Sequence, residues 1–522
     1  MQTSEKSAAR LVWPLLACFG ILRLWFWLTA FPNPDEAYYW LWGQHFDWSY
    51  YDHPPLLAWI QGSMSAILRR SRFALRFPNL CTTLLFFYTQ YRICRYLYGR
   101  QGKPAFWLMV MVVLASPLFF LFLALAWNDH LLISACLIAG YQFVRFLDSY
   151  VKDGHGESRR LYGAALALGV AGLAKYNALF IALAFVGVVI RDRHLWPLLR
   201  DRRLYGAIAI VLISLLPILI WNITNDYQSF EYYTSRSLNS GATGLRIKPF
   251  EPIGFWLFST LLLSPWLVEL IVRLILNRRQ PSFPVDRTKT LYSRVAIWTF
   301  VLPTVGLSLI ALFSTAYYYW NIMAYVMLFP LMPGLLLNRS AEPMEGEALG
   351  AIAPLIYLRR RRWVWGQQIY GVLLISLIVI HTTVLPLSAL VSNEATADPD
   401  SRMPFGWVTV APVVLVQQAQ LPRGGFLATT DYRSASALAY QLNDPNVYAL
   451  SDRRDQFDVW MGQTDLSNQD AVLVYDDWHP LTPALSAQFK RISDPEVVVV
   501  ERFGITIKNY YVATAYGFAG SE

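Results

Sequence analysis

Apolar runs that approach the thickness of a bilayer recur over most of this chain, and they limit its fold more than any other feature. A transmembrane helix needs roughly 20 consecutive, mostly apolar residues. The chain is 55% hydrophobic and 15% charged, with a mean hydropathy of +0.34. We therefore predict a polytopic α-helical membrane protein, with candidate spans at 11–30, 77–97, 105–125, 130–147, 161–174, 177–190, 204–221, 253–274, 295–315, 322–337 and 363–385.

The basic residues give these spans an orientation. The net charge is +9, and most Lys and Arg residues fall in short loops between apolar runs, as the positive-inside bias predicts. This distribution favours a membrane protein over one that binds nucleic acid. We expect a multi-pass protein of the bacterial inner membrane with a cytoplasmic N-terminus. The first span contains Arg23 and lacks a small-residue cleavage site, so we interpret it as a retained anchor.

This topology places four regions on the extracytoplasmic side: 31–76, 127–129, 222–252 and everything after about residue 386. Segment 54–68 is an alternative span that would invert the rest of the chain. Its length of about 15 residues, its polar Gln61 and its basic end fit an interfacial amphipathic helix better. We therefore place it on the membrane surface, within the first outer loop.

From Val391 onward the composition becomes polar and short β-rich runs appear. These runs alternate with helical patterns at 434–442 and 483–492, as in a small α/β domain. We predict a transmembrane catalytic domain at 1–390 and an extracytoplasmic α/β domain at 391–522, with strands at 425–430, 446–450, 471–475, 497–500 and 505–512.

The first outer loop begins PDEAYYWLWGQHFDWSYYDHPPLL and carries the densest group of candidate functional residues. Asp35 is a candidate general base, because a carboxylate can take the proton from an acceptor that attacks an anomeric carbon. The alternative is that Asp35 only caps a helix that begins near Ala37. Aromatic residues such as Tyr39 suit both a sugar site and an ordinary interfacial belt.

Asp52 and His53 precede Pro54-Pro55 in the same loop. An acid beside a histidine suits a leaving phosphate, a metal ion or a local pair. One Asp-His pair supplies too few ligands for a metal site. The sequence therefore requires no cofactor, and a divalent metal ion stays open as an alternative.

Two further regions carry charge close to apolar spans. Asp129 follows the third span, where it is a candidate second acid; the alternative is that Asn128 or Asp129 only caps the next helix. Lys175 separates two short apolar segments and needs an anion, which a lipid phosphate or a structural ion pair can supply. Arg236 adds positive charge in a long outer loop.

The segments PDEAYYWLW and DWSYYDHPPLLAW resemble the membrane glycosyltransferases of the GT-C fold. The nearest groups are the protein O-mannosyltransferases and the lipid A aminoarabinose transferases, glycosyltransferase families 39 and 83. The resemblance continues through WNDHLL, GLAKYNALF, WNITNDYQSF, PFGW, TTDYRSASALAY and RRDQFDVW. It implies about two spans more than the apolar runs indicate, so we predict about 11 to 13 transmembrane helices. It also implies a polyprenyl-phosphate sugar donor and inversion at the anomeric carbon.

By this resemblance, Asp35 matches the acid that activates the acceptor, and Asp129 matches a second acid of the cavity. Asp52 and His53 match an acid-lysine pair before Pro-Pro, although imidazole is often neutral near pH 7. Lys175 then becomes the more important phosphate partner.

We predict donor binding by a set of residues from three regions of the chain: Glu36, Tyr39, Asp52, His53, Lys175 and Arg236. The predicted function is transfer of a sugar from a polyprenyl-phosphate donor to a lipid, glycan or protein acceptor. The alternative is a transporter or flippase of lipid-linked saccharides.

Overall fold

The computed structural model describes residues 2–238, 247–276, 287–336, 361–392, 398–421, 425–451, 453–462 and 464–519. The chain divides into two compact units. The helical unit comprises Met1–Arg23, His53–Leu56 and Pro78–Ile375, and the sheet unit comprises Leu24–Asp52, Leu57–Phe77 and Ser376–Glu522.

The α-helices up to residue 383 are α1 (Gln2–Thr29), α2 (Pro34–Gln44), α3 (Leu56–Leu68), α4 (Arg72–Tyr98), α5 (Gly102–Leu114), α6 (Pro117–Ala124), α7 (Asn128–Asp153), α8 (Ser158–Ala174), α9 (Ala178–Arg191), α10 (Arg202–Ser214), α11 (Leu216–Thr224), α12 (Gln228–Leu238), α13 (Glu251–Leu263), α14 (Pro265–Leu276), α15 (Arg287–Ala311), α16 (Ile322–Tyr325), α17 (Pro333–Leu336) and α18 (Arg361–Thr383). The later elements are α19 (Pro399–Arg402), α20 (Trp407–Gln420), β1 (Phe426–Thr429), α21 (Tyr432–Leu442), β2 (Val447–Ala449), α22 (Gln456–Met461), β3 (Ala471–Asp476), α23 (Pro483–Ser486), β4 (Phe489–Ile492), β5 (Glu496–Arg502) and β6 (Ile505–Phe518).

Helix α7 lies at the centre of the helical unit. It is buried along most of its length, and α8, α9 and α15 pack against it. The chain breaks between α8 and α9 at residues 175–177, as the sequence predicts at Lys175.

Several helices of the described residues have the length and composition of membrane spans. Three are long and apolar enough by themselves, and the number rises to eight when each bent helix pair counts as one span. The predicted total of about 11 to 13 spans stays a prediction. Helix α3, with 13 residues, is shorter than a span needs, and its place on the membrane surface also stays a prediction.

The sheet unit contains a six-stranded mixed sheet with the order β2-β1-β3-β6-β4, and β5 pairs with β6 beside this path. Strand β1 runs parallel to β2 and β3, whereas β6 runs antiparallel to β3, β4 and β5. One face of the sheet buries an apolar cluster that includes Phe426, Leu473, Phe489 and Phe518. The five predicted strands are confirmed in place and type.

One predicted element of this unit is wrong in part. The helical pattern at 483–492 forms only the short helix α23, and the chain then enters strand β4. Phe489 pairs with Phe518 of β6, and their rings lie 5.1 Å apart. Burial of these rings against the sheet overrides the local helical preference.

The sheet unit also contains α2 and α3, which come from the first outer loop. Helix α2 packs along α21. The Tyr38 ring lies 5.0 Å from Tyr432 and 5.8 Å from Phe457, and Trp40 lies 5.2 Å from Tyr440. Part of the aromatic run therefore forms the core of this unit. The predicted functional division at residue 390 stays a prediction.

Candidate active site

Asp35 lies in the first turn of α2. Asn33 caps this helix: its side chain accepts a hydrogen bond from the Asp35 backbone N–H at 3.1 Å. Pro34 occupies the first helical position, where its fixed φ and missing N–H are tolerated. The alternative that Asp35 caps a helix near Ala37 is therefore wrong, and the Asp35 carboxylate is not used for capping.

The Asp35 carboxylate is half-buried and lies in the field of two arginines. Burial raises the pKa of Asp35 above its ordinary value, while the positive charges of Arg433 and Arg453 act in the opposite direction. No side chain in the described part of the chain donates a hydrogen bond to this carboxylate.

Glu36, the next residue, is in a different environment. Its carboxylate accepts hydrogen bonds from Arg76 Nε at 2.9 Å and Nη2 at 2.7 Å, and both side chains are fully buried. It also accepts the Asn33 backbone N–H at 2.9 Å, which completes a capping box. Arg76 donates further to the carbonyls of Phe26, Trp27 and Ala30. These contacts favour a structural role for Glu36, and the predicted donor contact stays a prediction.

Asp52 and Tyr39 are both buried in the sheet unit. Asp52 accepts hydrogen bonds from Tyr38 Oη at 2.7 Å and Arg453 Nη2 at 3.0 Å. The Tyr39 ring lies 5.1 Å from the Trp42 ring. Asp52 therefore holds Arg453, one of the two arginines whose charge acts on Asp35.

His53 belongs to the helical unit, where it contacts a pair of tyrosines. Its Nδ1 lies 2.7 Å from Tyr233 Oη on α12, and the Tyr233 ring lies 4.7 Å from the Tyr176 ring. Tyr176 directly follows Lys175. These contacts link His53 to the break that carries Lys175. Arg236 is also on α12, but its side chain lies outside the described residues.

Asp129 and Lys175 form an ion pair in the helical unit. Lys175 Nζ lies 2.9 and 3.0 Å from the two Asp129 oxygens, and the side chains are 8% and 2% exposed, respectively. The ammonium also lies 5.0 Å from the centre of the Tyr319 ring. This is the ion pair that sequence analysis leaves as the alternative to a lipid phosphate. The capping alternative for Asn128 or Asp129 is wrong, because the cap position of α7 is Trp127 and no side chain caps it.

The sequence patterns do not single out Arg433 and Arg453 as site residues. Arg433 lies in the first turn of α21, and Arg453 lies in the segment after β2. Both lie within TTDYRSASALAY and RRDQFDVW, which already carry the family resemblance. That resemblance could have identified both arginines. Their proximity to the first outer loop could not be predicted, because they are far from it along the chain.

The described residues contain no group of three or more His, Cys, Asp or Glu side chains placed to hold a metal ion. A divalent metal ion therefore stays an open alternative.

The apolar helices and the mixed sheet define a multi-pass membrane protein with a small α/β unit. A family model described as dolichyl-phosphate-mannose-protein mannosyltransferase matches residues 52–221. The crystal structure of ArnT from Cupriavidus metallidurans bound to undecaprenyl phosphate has a TM-score of 0.61 and 16% identity to this chain, and the match covers 98% of this chain and 99% of that one. These findings confirm the predicted resemblance: the protein has the GT-C fold of membrane glycosyltransferases.

A second solved structure has lower similarity. The archaeal oligosaccharyltransferase AglB from Archaeoglobus fulgidus, in complex with an inhibitory peptide and a dolichol-phosphate, has a TM-score of 0.46 and 12% identity, and the match covers 88% of this chain and 69% of that one. No curated protein matches the chain by sequence.

Proposed function

We propose that this protein transfers a sugar from a polyprenyl-phosphate donor to an acceptor hydroxyl or amine, with Asp35 as the general base. The observation that carries the proposal is the Asp35 carboxylate, which is half-buried, close to two arginines and not engaged by a described hydrogen-bond donor. The fold and the family match support the glycosyltransferase class. The undecaprenyl phosphate bound in the ArnT structure supports a donor linked to a lipid phosphate.

The proposed reaction is a single displacement at the anomeric carbon. The acceptor oxygen or nitrogen forms a bond to this carbon as the bond to the phosphate oxygen breaks. The acceptor proton passes to Asp35, and the electron pair of the broken bond stays on the departing lipid phosphate. Attack from the face opposite the phosphate inverts the anomeric configuration.

The cationic residues have a separate proposed role. A departing phosphate gains negative charge, and preorganised positive groups that stabilise such charge are often the largest contribution to catalysis. Lys175 is a proposed phosphate partner, since its ammonium is buried and aligned by Asp129. His53, aligned by Tyr233, is a second, and Arg236 is a third on the evidence of its sequence position.

Asp35→Asn tests the proposed base. The substitution preserves size but removes the proton acceptor, and we expect transfer to fall by about 10²- to 10⁴-fold. The measurement is release of polyprenyl phosphate from a panel of polyprenyl-phosphate sugars by the purified protein, with donor binding measured in parallel. Asp494→Asn, an exposed aspartate of the same unit, is the matched control and keeps wild-type turnover.

Full turnover by Asp35→Asn would remove the base assignment. If the wild-type protein moves the donor across vesicle membranes without releasing polyprenyl phosphate, the transporter alternative replaces the enzyme. Folding of the variant is checked by its thermal transition, so that a loss of activity cannot be confused with a loss of structure.

A further inference from the structure

The segment that joins α9 to α10 carries a group of arginines that the proposed reaction does not use. Residues 191–203, which we call the basic linker, read RDRHLWPLLRDRR. The linker follows the apolar helix α9 and leads into α10 and α11, which together have the length and composition of one bent membrane span. Because an apolar helix adjoins each of its ends, the linker lies at a boundary of the membrane.

The linker contains a 3₁₀ helix, Arg193–Arg200, that separates buried from exposed apolar side chains. Side chains three positions apart in a 3₁₀ helix lie above one another. Leu195 and Leu198 form one such row, which is buried where the linker packs against α9 and α10. Trp196 and Leu199 form a second row, and their side chains are 47% and 44% exposed. The linker therefore presents apolar surface beside its charges.

The exposed tryptophan ring is held in position by two contacts. Trp196 Nε1 donates a hydrogen bond to the Ile190 carbonyl at 3.0 Å. The Arg193 guanidinium lies 5.7 Å from the centre of the same ring. The backbone therefore satisfies the polar group of the ring, while much of its apolar surface stays uncovered. Such rings are enriched where membrane and water meet.

Both acids of the linker are already paired with arginines. Asp192 pairs with Arg294, and Asp201 Oδ2 lies 2.6 Å from Arg203 Nη2. Within the described part of the chain, no carboxylate forms an ion pair with the other arginines of the linker, all of which are exposed: Arg191, Arg193, Arg200 and Arg202. The linker therefore has a positive surface, which complements an anionic one.

We propose that the basic linker binds the headgroups of anionic phospholipids. Its exposed arginines contact the lipid phosphates, while Trp196 and Leu199 enter the region between headgroups and acyl chains. A segment with basic residues beside an apolar row binds a membrane surface in this way. Because only the folded protein has this arrangement, bound lipid stabilises the helical unit. The binding does not depend on sugar transfer.

Lipid titration tests the binding directly. The full-length protein in a non-ionic detergent is titrated with phosphatidylglycerol and phosphatidylcholine of identical acyl chains, and bound lipid is measured by native mass spectrometry. One basic residue near an anionic surface changes affinity by about fivefold. We therefore expect phosphatidylglycerol to bind at least about 10-fold more tightly. Equal affinity for the two lipids would overturn the proposal.

Substitutions assign the binding to the linker. The variant Arg193→Gln/Arg200→Gln/Arg202→Gln should lower phosphatidylglycerol affinity by about 10- to 100-fold and leave phosphatidylcholine affinity unchanged. Trp196→Ala keeps every charge, so it should weaken both lipids and leave their ratio constant. A triple variant that keeps the wild-type lipid preference would reject the linker as the site.

The matched control removes three exposed arginines from the sheet unit, in the variant Arg454→Gln/Arg491→Gln/Arg502→Gln. This variant changes the net charge by the same amount and should keep the wild-type lipid preference. If both triple variants lose the preference equally, net charge alone causes it and the proposal fails.

Two measurements on the wild-type protein keep the test independent of how well a variant folds. Raising the ionic strength from about 0.05 M to about 0.5 M should weaken phosphatidylglycerol binding and leave phosphatidylcholine binding unchanged, since salt screens exposed charges. Phosphatidylglycerol should also raise the thermal transition more than phosphatidylcholine does. A lipid preference that is the same at both ionic strengths would contradict the role of the arginines.

Competition distinguishes a lipid from a soluble phosphate compound. Glycerol 3-phosphate carries the phosphate without acyl chains, so it cannot contact Trp196 and Leu199 as a lipid does. At equal concentration it should leave phosphatidylglycerol bound. Displacement would overturn the proposal, because the linker would then recognise a soluble anion and not a membrane surface.

Discussion

The two acidic centres of this protein, Asp35 in the sheet unit and Asp129 in the helical unit, differ in how their charge is balanced. Asp129 is bonded to Lys175 through both oxygens, and both side chains are buried. Asp35 is half-buried and is influenced by Arg433 and Arg453 without a described hydrogen bond from either. A closed pair holds a charge in place, whereas an open carboxylate can exchange a proton. Residue type alone does not distinguish these roles.

Glu36, the residue after Asp35, forms a buried ion pair with Arg76. Glu36→Gln keeps the capping geometry but leaves Arg76 buried without its anion. We expect a loss of about 3–5 kcal/mol in stability, the usual cost of breaking a buried ion pair. The measurement is the thermal and denaturant transition of the full chain, together with the donor KM of the folded fraction.

The donor KM decides between the two roles of Glu36. An unchanged KM with lowered stability supports the structural role. A raised KM with unchanged stability would instead support the predicted donor contact and would remove the contrast with Asp35.

A double-mutant cycle can separate the contributions of Asp129 and Lys175, the ion pair of the helical unit, to stability. Asp129→Asn and Lys175→Met should each lower stability, since each leaves a buried charge without a partner. The double variant should lose less than the sum of the two, with a coupling energy of about 1–3 kcal/mol.

Activity in the same cycle tests the phosphate role of Lys175. If Lys175 only neutralises Asp129, the double variant recovers turnover as it recovers stability. If Lys175 also stabilises the departing phosphate, the double variant stays inactive although it is stable. We expect the second result.

The smallest expected effect is a shift in the pH dependence of transfer. A base works only when deprotonated, so activity falls as pH drops through the pKa of Asp35, which burial raises and the two arginines lower. Arg433→Gln removes one of these positive charges. The pKa should rise, and the acidic limb of the kcat/KM profile should move to higher pH.

The pH at which this limb falls, and not the maximum rate, is the relevant quantity, because loss of Arg433 can also change the maximum rate. A neutral acceptor is used for the measurement. Arg454→Gln should leave the limb where it is in the wild type. A limb that does not move in Arg433→Gln would show that another group limits the rate at low pH.

The local patterns predicted much of the sheet unit. Short β-rich runs predicted β1, β2, β3, β5 and β6, since strand propensity is a property of neighbouring residues. Strand β4 was missed, because Phe489 and Ile492 fit a helix equally well in isolation. Their burial beside Phe518 favours the strand. Phe518 is on β6, 29 positions beyond Phe489.

The candidate site was predicted less completely. Asp35, Asp129 and Lys175 could be selected because each is a charge close to an apolar span, where charge is costly. The residues that pair with these charges could not be selected from the sequence. Arg76 is 40 positions from Glu36, and Arg453 is 401 positions from Asp52. A pairing over such separations depends on how the elements pack, which no local pattern records.

The membrane class, the GT-C resemblance and the positions of the acidic residues could be read from the sequence, because hydropathy and short motifs are properties of neighbouring residues. The tertiary structure alone decided which acids are neutralised. It joined the first loop to the C-terminal sheet in one unit, bonded Glu36 to Arg76 and Asp129 to Lys175, and left Asp35 beside two arginines. The physical reason is that charge balance depends on distances in space, which the fold sets.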